Sequence, residues 1–338
     1  MFKLHYYETE STYAPYNLAM EEALMDTIRP GSPGCFLLWQ NSPAVIIGRH
    51  QNALSEANLP ELKRRGINLV RRMTGGGAVY HDLGNLNFSF ILPQAEDREI
   101  KQLDLLNPII SYLKGQGVAA VMEGRNDLTI SGQGKFSGLA SRQVSGGYQL
   151  HGTIMYDVDL SILEHVLRVD PEKFKSKGVA SVRARVTNLK PHLAIDLPTL
   201  WQGLREAYDL SPSPLEGEVK ARAEKLAQEK YSRDVWNIGT SPASDLILKR
   251  RFSFGGLELR LGTNKNRIES AAVSGDFLTP SNTPDQIAVE KLGEALLGLA
   301  ADRPEDWAQN WSVFDFNKVF YGRVDQEEII QWLKTSLV

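Results

Sequence analysis

The clearest pattern of apolar and polar positions along the chain lies in residues 85–92. Every second residue is apolar and shares one face of an extended strand: Leu86, Phe88, Phe90 and Leu92. The residues between them are polar and fall mostly on the other face: Asn85, Asn87 and Ser89. A period of two residues is typical of a β-strand with one face against a core. The polar face is expected to border either a pocket or solvent.

Other segments show helical spacing or short apolar runs. Apolar residues at positions 103, 106, 109, 110 and 113 predict a helix over Leu103–Leu113. A second helix is predicted over Leu18–Ile28, with Asn17 as its N-cap. Cys35–Trp39 and Ala44–Ile47, separated by Asn-Ser-Pro, indicate a hairpin-like pair. Further strands are predicted at Phe2–Tyr7, Ile67–Arg71, Val118–Met122, Leu128–Ile130 and Leu150–Val158.

The order of these elements predicts an α+β fold with two domains. Residues 1–246 are expected to form a large catalytic domain with a mixed or antiparallel sheet and flanking helices. Ser241–Ser244 is a linker candidate. Residues 250–338 are expected to form a small α+β accessory domain, with strands at Arg251–Leu261 and Arg267–Val273 and helices near 284–299 and 325–336.

Composition excludes several classes of protein. The 338 residues carry 38 Lys and Arg against 41 Asp and Glu, so the net charge of −3 argues against a general nucleic-acid binder. A single cysteine, Cys35, excludes an intrachain disulfide, and its apolar neighbours indicate an inert core thiol. The six histidines lack metal-ligand spacing. Because the sequence shows neither a signal peptide nor an apolar run long enough to span a membrane, we expect a cytoplasmic protein.

The most informative motif for chemistry is Arg71–Asp82. Two arginines precede three consecutive glycines, Gly75–Gly77. Glycines allow a ligand to approach the backbone N–H groups, and consecutive N–H groups can bind an anion. Arginine donates paired hydrogen bonds to phosphate. The motif therefore predicts an anion or phosphate site, and a flexible loop is the alternative.

Two further motifs supply candidate side chains. Lys135 lies on the second arm of a predicted hairpin within Gly124–Gly138, a segment that does not have the spacing of a P-loop. His151 precedes Gly152 inside an apolar strand. Taken singly, a solvated lysine and a core histidine are the commoner interpretations, so both alternatives stay open at this point.

In combination, these motifs resemble the lipoate–protein ligase A family, which shares its fold superfamily with the biotin ligases. The resemblance extends over about the first 190 residues, and a weaker one covers the region after residue 250. Six segments carry it, in the order found in the family: Ile47–Asn52, Arg71–Asn85, Gly124–Leu128, Lys135–Gly138, His151–Thr153 and Lys177–Leu189.

The resemblance implies an ATP-dependent, two-step activity. Lipoate and ATP give lipoyl-AMP, and the lipoyl group then passes to a lysine of a lipoyl domain. Lys135 would be the catalytic residue, in contact with both substrates. The implied ATP and adenylate contacts are Arg72, Gly77, Ala78, Val79, Tyr80, Lys135, Asp127, Lys177 and Arg183. The implied lipoate contacts are Arg49, Gly75, Gly76, Lys135 and His151.

The same resemblance indicates cofactors, partners and alternatives. Mg²⁺ is expected to be held mainly by the ATP phosphates, with Asp127 as one possible ligand. Phe88, Val79 and Phe136 are candidates to line an apolar slot, with core packing as the alternative.

The expected acceptors are apo-lipoyl domains of 2-oxoacid dehydrogenase E2 subunits or the glycine-cleavage H protein, with no nucleic acid or membrane as partner. The basic segment Arg168–Lys190 is a candidate lid over the adenylate.

Three other functions remain to be weighed. One is an ATP-independent acyltransferase, which would need a cysteine nucleophile and has only Cys35 to offer. The second is a biotin ligase, whose glycine-rich motif differs. The third is a non-catalytic binder of lipoyl domains, against which the presence of Lys135 argues.

Overall fold

A computed structural model describes residues 3–94, 100–124, 126–144, 146–168, 186–239, 244–280 and 285–337. Its largest sheet has seven strands: β1 (Leu4–Glu8), β2 (Gly34–Gln40), β6 (Asn85–Pro93), β7 (Ala120–Glu123), β8 (Asp127–Ile130), β9 (Gly134–Val144) and β10 (Gly147–Met155). Their order in the sheet is β1-β2-β6-β10-β9-β8-β7. The strands β1 and β2 pair in parallel and the other neighbours pair antiparallel, which confirms the predicted mixed sheet.

A second sheet of three strands stands beside the first. It contains β3 (Ala44–Ile47), β4 (Asn68–Arg71) and β5 (Val79–His81), in the order β4-β3-β5. The predicted hairpin of Cys35–Trp39 with Ala44–Ile47 is therefore wrong. Pro43 cannot donate a backbone hydrogen bond, and the chain leaves the large sheet through this turn and enters the small one.

The two faces of the large sheet have different chemistry. Leu86, Phe88, Phe90 and Leu92 pack into one core cluster, as the alternation predicts. Helices α4 (Gln102–Gly115) and α6 (Leu197–Glu206) contribute to this cluster. On the other face lie Asn85, Asn87 and Ser89, all buried rather than solvated. This face is covered by α1 (Ala14–Met25) and α7 (Gly217–Leu226) together with the small sheet.

The remaining α-helices described in this part are short. They are α2 (Ala53–Glu56), α3 (Leu59–Arg65), α5 (Leu163–Val166) and α8 (Asp234–Asn237). Helix α1 begins at Ala14 rather than at Leu18, because Pro15 sits in its first turn. Asn17 is therefore inside the helix and is buried, so its predicted role as an N-cap is wrong.

The C-terminal part has its own core. The strands β11 (Leu246–Phe252), β12 (Gly255–Asn264) and β13 (Arg267–Gly275) form an antiparallel sheet. Helices α9 (Asp285–Glu294), α10 (Pro304–Trp311) and α11 (Gln326–Lys334) accompany it. Sheet and helices share one apolar cluster, which confirms the predicted small α+β unit. The proposed division between residues 246 and 250 falls within β11.

Candidate functional site

The three glycines form a tight loop between β4 and β5, organised by Arg72. Gly76 has a φ of 89°, a conformation that favours glycine. The Arg72 Nη2 donates to the carbonyls of Gly75 (2.6 Å) and Gly77 (2.9 Å). Its Nη1 donates to the Ile46 carbonyl at 3.2 Å. The guanidinium thus binds the backbone of the loop, and Gly75, Gly76 and Gly77 lie around it.

Burial lowers the pKa of Arg72 to about 10, so the side chain remains a cation at neutral pH. The structure places this charge beneath the loop, with four N–H groups already donating to protein atoms. Its implied contact with the nucleotide stays a prediction. The observed geometry supports a positioning role, in which Arg72 shapes the loop and its charge reaches the ligand through the backbone.

A chain of hydrogen bonds connects the loop to the large sheet. The Arg72 Nε donates to the Thr74 hydroxyl at 3.0 Å, and that hydroxyl lies 2.7 Å from the Nε2 of His151. The His151 Nδ1 lies 2.9 Å from a carboxylate oxygen of Glu21 on α1. All four side chains are buried. His151 is therefore joined to the loop through Thr74 and to α1 through Glu21, and the sequence interpretation assigned a role to neither of these two residues. Its implied contact with lipoate stays a prediction.

The pKa of the buried Glu21 carboxylate is set by burial and by its polar neighbours. Burial alone raises its pKa, but the charge and hydrogen bond of His151 and a hydrogen bond from Ser89 outweigh burial, and the net pKa is lowered. A sequence signal for this residue did exist. Asn17 and Glu21 are four residues apart, so they lie on one face of α1, and that spacing directs two polar groups into the same interior.

Lys135 occupies the same face of the large sheet. Its Nζ lies 2.6 Å from Oδ1 of Asp127, on the neighbouring strand β8. The side chain runs along β9 toward Gly138. A Cβ atom placed on Gly138 would lie 2.9 Å from the Lys135 Nζ. Gly138 is two positions from Ala140, which pairs with His151 in the sheet. Measured along β9, the Lys135 amine therefore lies about 7 Å from the position that pairs with His151.

A buried polar group lies beside this ion pair. Thr129 pairs with Lys135 across β8 and β9, and within the described chain its buried hydroxyl has no hydrogen-bond partner. The Ser137 hydroxyl, also without a partner among the described residues, belongs to the position that pairs with Leu128 of the core cluster. Val186 and Thr187 pair with the backbone of Lys135. The predicted lid residues Lys177 and Arg183 lie outside the described residues.

The residues that follow the glycines point in alternate directions. Val79 packs toward the large sheet, whereas Ala78 and Tyr80 pack on the far side of the small sheet. Burial raises the pKa of Tyr80 to about 12, so its hydroxyl stays protonated. Of the three candidates for the apolar slot, Val79 faces the site. Phe88 and Phe136 lie in the core cluster on the opposite face, so their proposed place in the slot is wrong.

The C-terminal part lies directly against the loop. The Gly76 N–H donates to the Phe277 carbonyl at 3.3 Å, and Gly275 N–H donates to the His50 carbonyl at 2.9 Å. Arg49 lies over the Trp236 ring, 4.4 Å from its centre. Burial lowers the pKa of Arg49, and the charge of Glu290 on α9 opposes that shift. Arg49 is therefore placed at the contact between the two parts of the chain.

Some chemistry is not supported within the described ranges. They contain no group of three or more His, Cys, Asp or Glu side chains that could hold a metal ion. None of their helices has both the length and the apolar character needed to cross a bilayer. Cys35 is buried, and burial raises the pKa of its thiol to about 12, so it is a poor nucleophile.

Comparison with known proteins identifies the family of this chain. The family described as "Lipoyl protein ligase A/B catalytic domain" matches residues 14–208, and "Bacterial lipoate protein ligase C-terminus" matches residues 241–333. Lipoate–protein ligase 1 of Staphylococcus aureus is 34% identical over 326 residues, covering 93% of this chain and 95% of that protein.

Two solved structures extend the comparison. A bipartite lipoate–protein ligase from Thermoplasma acidophilum, described with its E2 lipoyl domain, has a TM-score of 0.61 at 29% identity, covering 72% of this chain and 99% of that one. A lipoate–protein ligase A bound with ATP has a TM-score of 0.60 at 26% identity, covering 70% and 98%. On these matches, the chain belongs to the lipoate–protein ligase family of enzymes.

Proposed function

We propose that this ligase activates lipoate with ATP and transfers the lipoyl group to a lysine of an apo-lipoyl domain. One observation carries the proposal. A lysine amine, a histidine and a glycine-rich loop lie on one face of the sheet, and the loop is joined to the histidine by Thr74. Such a site offers a cation for two anionic substrates and backbone N–H groups for phosphate.

In the first step, a carboxylate oxygen of lipoate attacks the α-phosphorus of ATP, and the bond to the β-phosphate breaks to release pyrophosphate. Two anions must approach each other, and a fixed cation between them reduces their repulsion. The position of the Lys135 amine, 2.6 Å from Asp127 and close to Gly138, supports this role. The acyl chain would run from Lys135 toward His151 and Val79.

In the second step, the acceptor amine attacks the acyl carbon, and the carbon–oxygen bond to AMP breaks. The proton of the amine leaves to solvent or to a base that we do not assign. Thermoplasma acidophilum supplies a ligase described with an E2 lipoyl domain, and we extend that class of acceptor to this chain. Glycine-cleavage H protein is the second candidate acceptor.

Mg²⁺ fits this site only as an ion bound to the phosphates of the nucleotide. One carboxylate, Asp127, stands beside Lys135, and the described ranges hold no three-ligand cluster. Magnesium usually keeps few protein ligands when phosphates bind it. Asp127 would be its ligand, and the ion would supply charge neutralisation of the phosphates. Because ATP is supplied within cells, we place the reaction in the cytoplasm.

The test is an intact-mass assay on an apo-lipoyl domain and, in parallel, on apo-H protein. We expect the mass of one lipoyl group to be added only when ATP, Mg²⁺ and lipoate are all present. Mass gain from an octanoylated carrier without ATP would instead favour the acyltransferase. Gain with biotin would favour a biotin ligase, and no gain on either acceptor would favour a non-catalytic binder.

A further inference from the structure

His81 has an unsatisfied hydrogen-bonding group in the interior of the catalytic part. Its side chain is 3% exposed, and within the described chain its Nε2 has no hydrogen-bond partner. A buried polar group that is left unpaired keeps the full penalty of its desolvation. Most such groups in native proteins are satisfied, so this one requires a physical explanation.

The neighbours of His81 determine which ring nitrogen carries the proton. Nδ2 of Asn17 lies within hydrogen-bond distance of the carbonyls of Ser11 and Gln40 and of Oδ1 of Asn41. Since Asn41 accepts through Oδ1, its Nδ2 is the donor that faces Nδ1 of His81 at 3.1 Å. The Nδ1 therefore accepts, and Nε2 carries the hydrogen. Two asparagines thus fix His81 as a donor at Nε2.

This donor lies in the same layer as the glycine loop. On β5, Tyr80 packs away from the large sheet, and Val79 and His81 take the opposite direction. The ring meets the edge of Trp39 at a centroid distance of 6.3 Å. Burial, and then the charges of Arg72 and His151, lower the pKa of His81 to about 3, so the ring is neutral at physiological pH.

We propose that the Nε2–H of His81 donates a hydrogen bond to a negatively charged oxygen at the point of adenylation, on either the lipoate carboxylate or the α-phosphate. The inference rests on the proposed function. A fixed, water-excluded donor is effective there, because it needs no reorganisation as charge shifts between the two groups. The cationic side chain of Arg72 nearby favours an anionic partner over a neutral one.

The first experiment uses the unaltered protein, with its histidines labelled with ¹⁵N. The NMR signal of the His81 Hε2 is recorded alone, with lipoate, with ATP and Mg²⁺, and with a non-hydrolysable lipoyl-sulfamoyl adenosine. We expect a downfield shift and slower solvent exchange with at least one ligand. A shift with lipoate alone assigns the carboxylate, and a shift with ATP alone assigns the phosphate. Calorimetric binding of all three ligands without any shift would overturn the proposal.

The second experiment compares His81→Gln with His81→Leu. Both lose the ring nitrogen that pairs with Asn41, but glutamine places an amide donor near the position of Nε2. We expect His81→Gln to keep the affinity for the sulfamoyl analogue within a few-fold and His81→Leu to lose about tenfold or more. Equal affinities would contradict the proposal. If the wild type binds no ligand and lipoylates no acceptor, the proposed function fails first, and the inference fails with it.

Discussion

At the scale of single residues, Lys135 is the side chain on which the proposed chemistry depends most directly. We expect Lys135→Ala to fold but to lose about a hundredfold or more of its lipoate-dependent pyrophosphate release, because the cation between the two anions is removed. Lys225→Ala is the matched control. It breaks an ion pair with Glu229 in which both side chains are mostly exposed, so release should stay at the wild-type level. Near-wild-type release by Lys135→Ala would remove the residue from its role.

Glu21 allows a prediction about pH and stability. Its pKa in the folded protein is lowered below the ordinary value of 4.5. The ionised carboxylate therefore stabilises the fold above pH 4.5, and this contribution is lost as the pH falls through the folded pKa. We expect Glu21→Gln to lower the free energy of unfolding by about 1–3 kcal/mol near neutral pH, with a smaller difference from wild type in acid.

Urea unfolding at a series of pH values measures this difference. Glu164→Gln, at an exposed position on α5, is the control and should follow the wild type. A constant difference between Glu21→Gln and wild type across the whole pH range would contradict the electrostatic explanation. It would indicate instead that glutamine perturbs packing.

At the same scale, the sequence predicts some site residues and misses others for one physical reason. Arg72, the glycines and Lys135 stand in local motifs, so their chemistry can be read from their neighbours along the chain. Glu21 meets His151 across 130 positions, and Asn41 meets His81 across 40. Only the packing of α1 and the small sheet onto the large sheet brings these pairs together, and no local pattern identifies the partner of either residue.

At the scale of elements, alternation predicts which face of a strand is buried but not which sheet the strand joins. The two faces of β6 follow the pattern of the sequence. In contrast, β2 and β3 are adjacent along the chain and yet belong to different sheets. This arrangement matters most for the glycine loop, because the loop crosses from the small sheet toward the polar face of the large sheet.

A pair of glycines tests the loop as an element. Gly76 and Gly66 both have positive φ, of 89° and 66°. A Cβ at Gly76 would lie 3.0 Å from Nη2 of Arg72, whereas one at Gly66 would meet nothing within 4 Å. We expect Gly76→Val and Gly66→Val to pay similar backbone strain of about 1–2 kcal/mol, but only Gly76→Val to weaken lipoate binding.

Calorimetry with lipoate and thermal unfolding of both variants separate the two effects. If Gly76→Val binds lipoate with unchanged affinity, the loop does not line the acyl site. If Gly66→Val loses binding as well, the effect comes from general destabilisation and not from the loop. The comparison therefore assigns a steric role to one glycine while keeping the backbone strain matched.

At the scale of the whole molecule, the C-terminal part contacts the catalytic part through the residues around the loop. Several of these contacts are polar. They include the carbonyl of Phe277 on Gly76, the amide of Asn52 near the Glu258 carboxylate at 3.4 Å, and the charge of Glu290 near Arg49. The sequence predicts the small domain but not this contact, because polar interfaces lack a hydrophobic periodicity. Polar interfaces of this kind favour relative motion of the parts they join.

Gly75 offers a way to weaken that contact alone. Its φ is not in the left-handed region, so alanine brings no backbone strain, but a Cβ would lie 2.6 Å from the Phe277 carbonyl oxygen. We expect Gly75→Ala to displace the C-terminal part while the catalytic core keeps its melting temperature within a few degrees. Small-angle X-ray scattering should show a larger radius of gyration, and protease should digest the protein more rapidly. Gly217→Ala, whose Cβ would meet nothing within 4 Å, should match the wild type in both measurements. An unchanged radius of gyration in Gly75→Ala would mean that the loop shifts to accommodate the methyl group and that the contact between the two parts is kept.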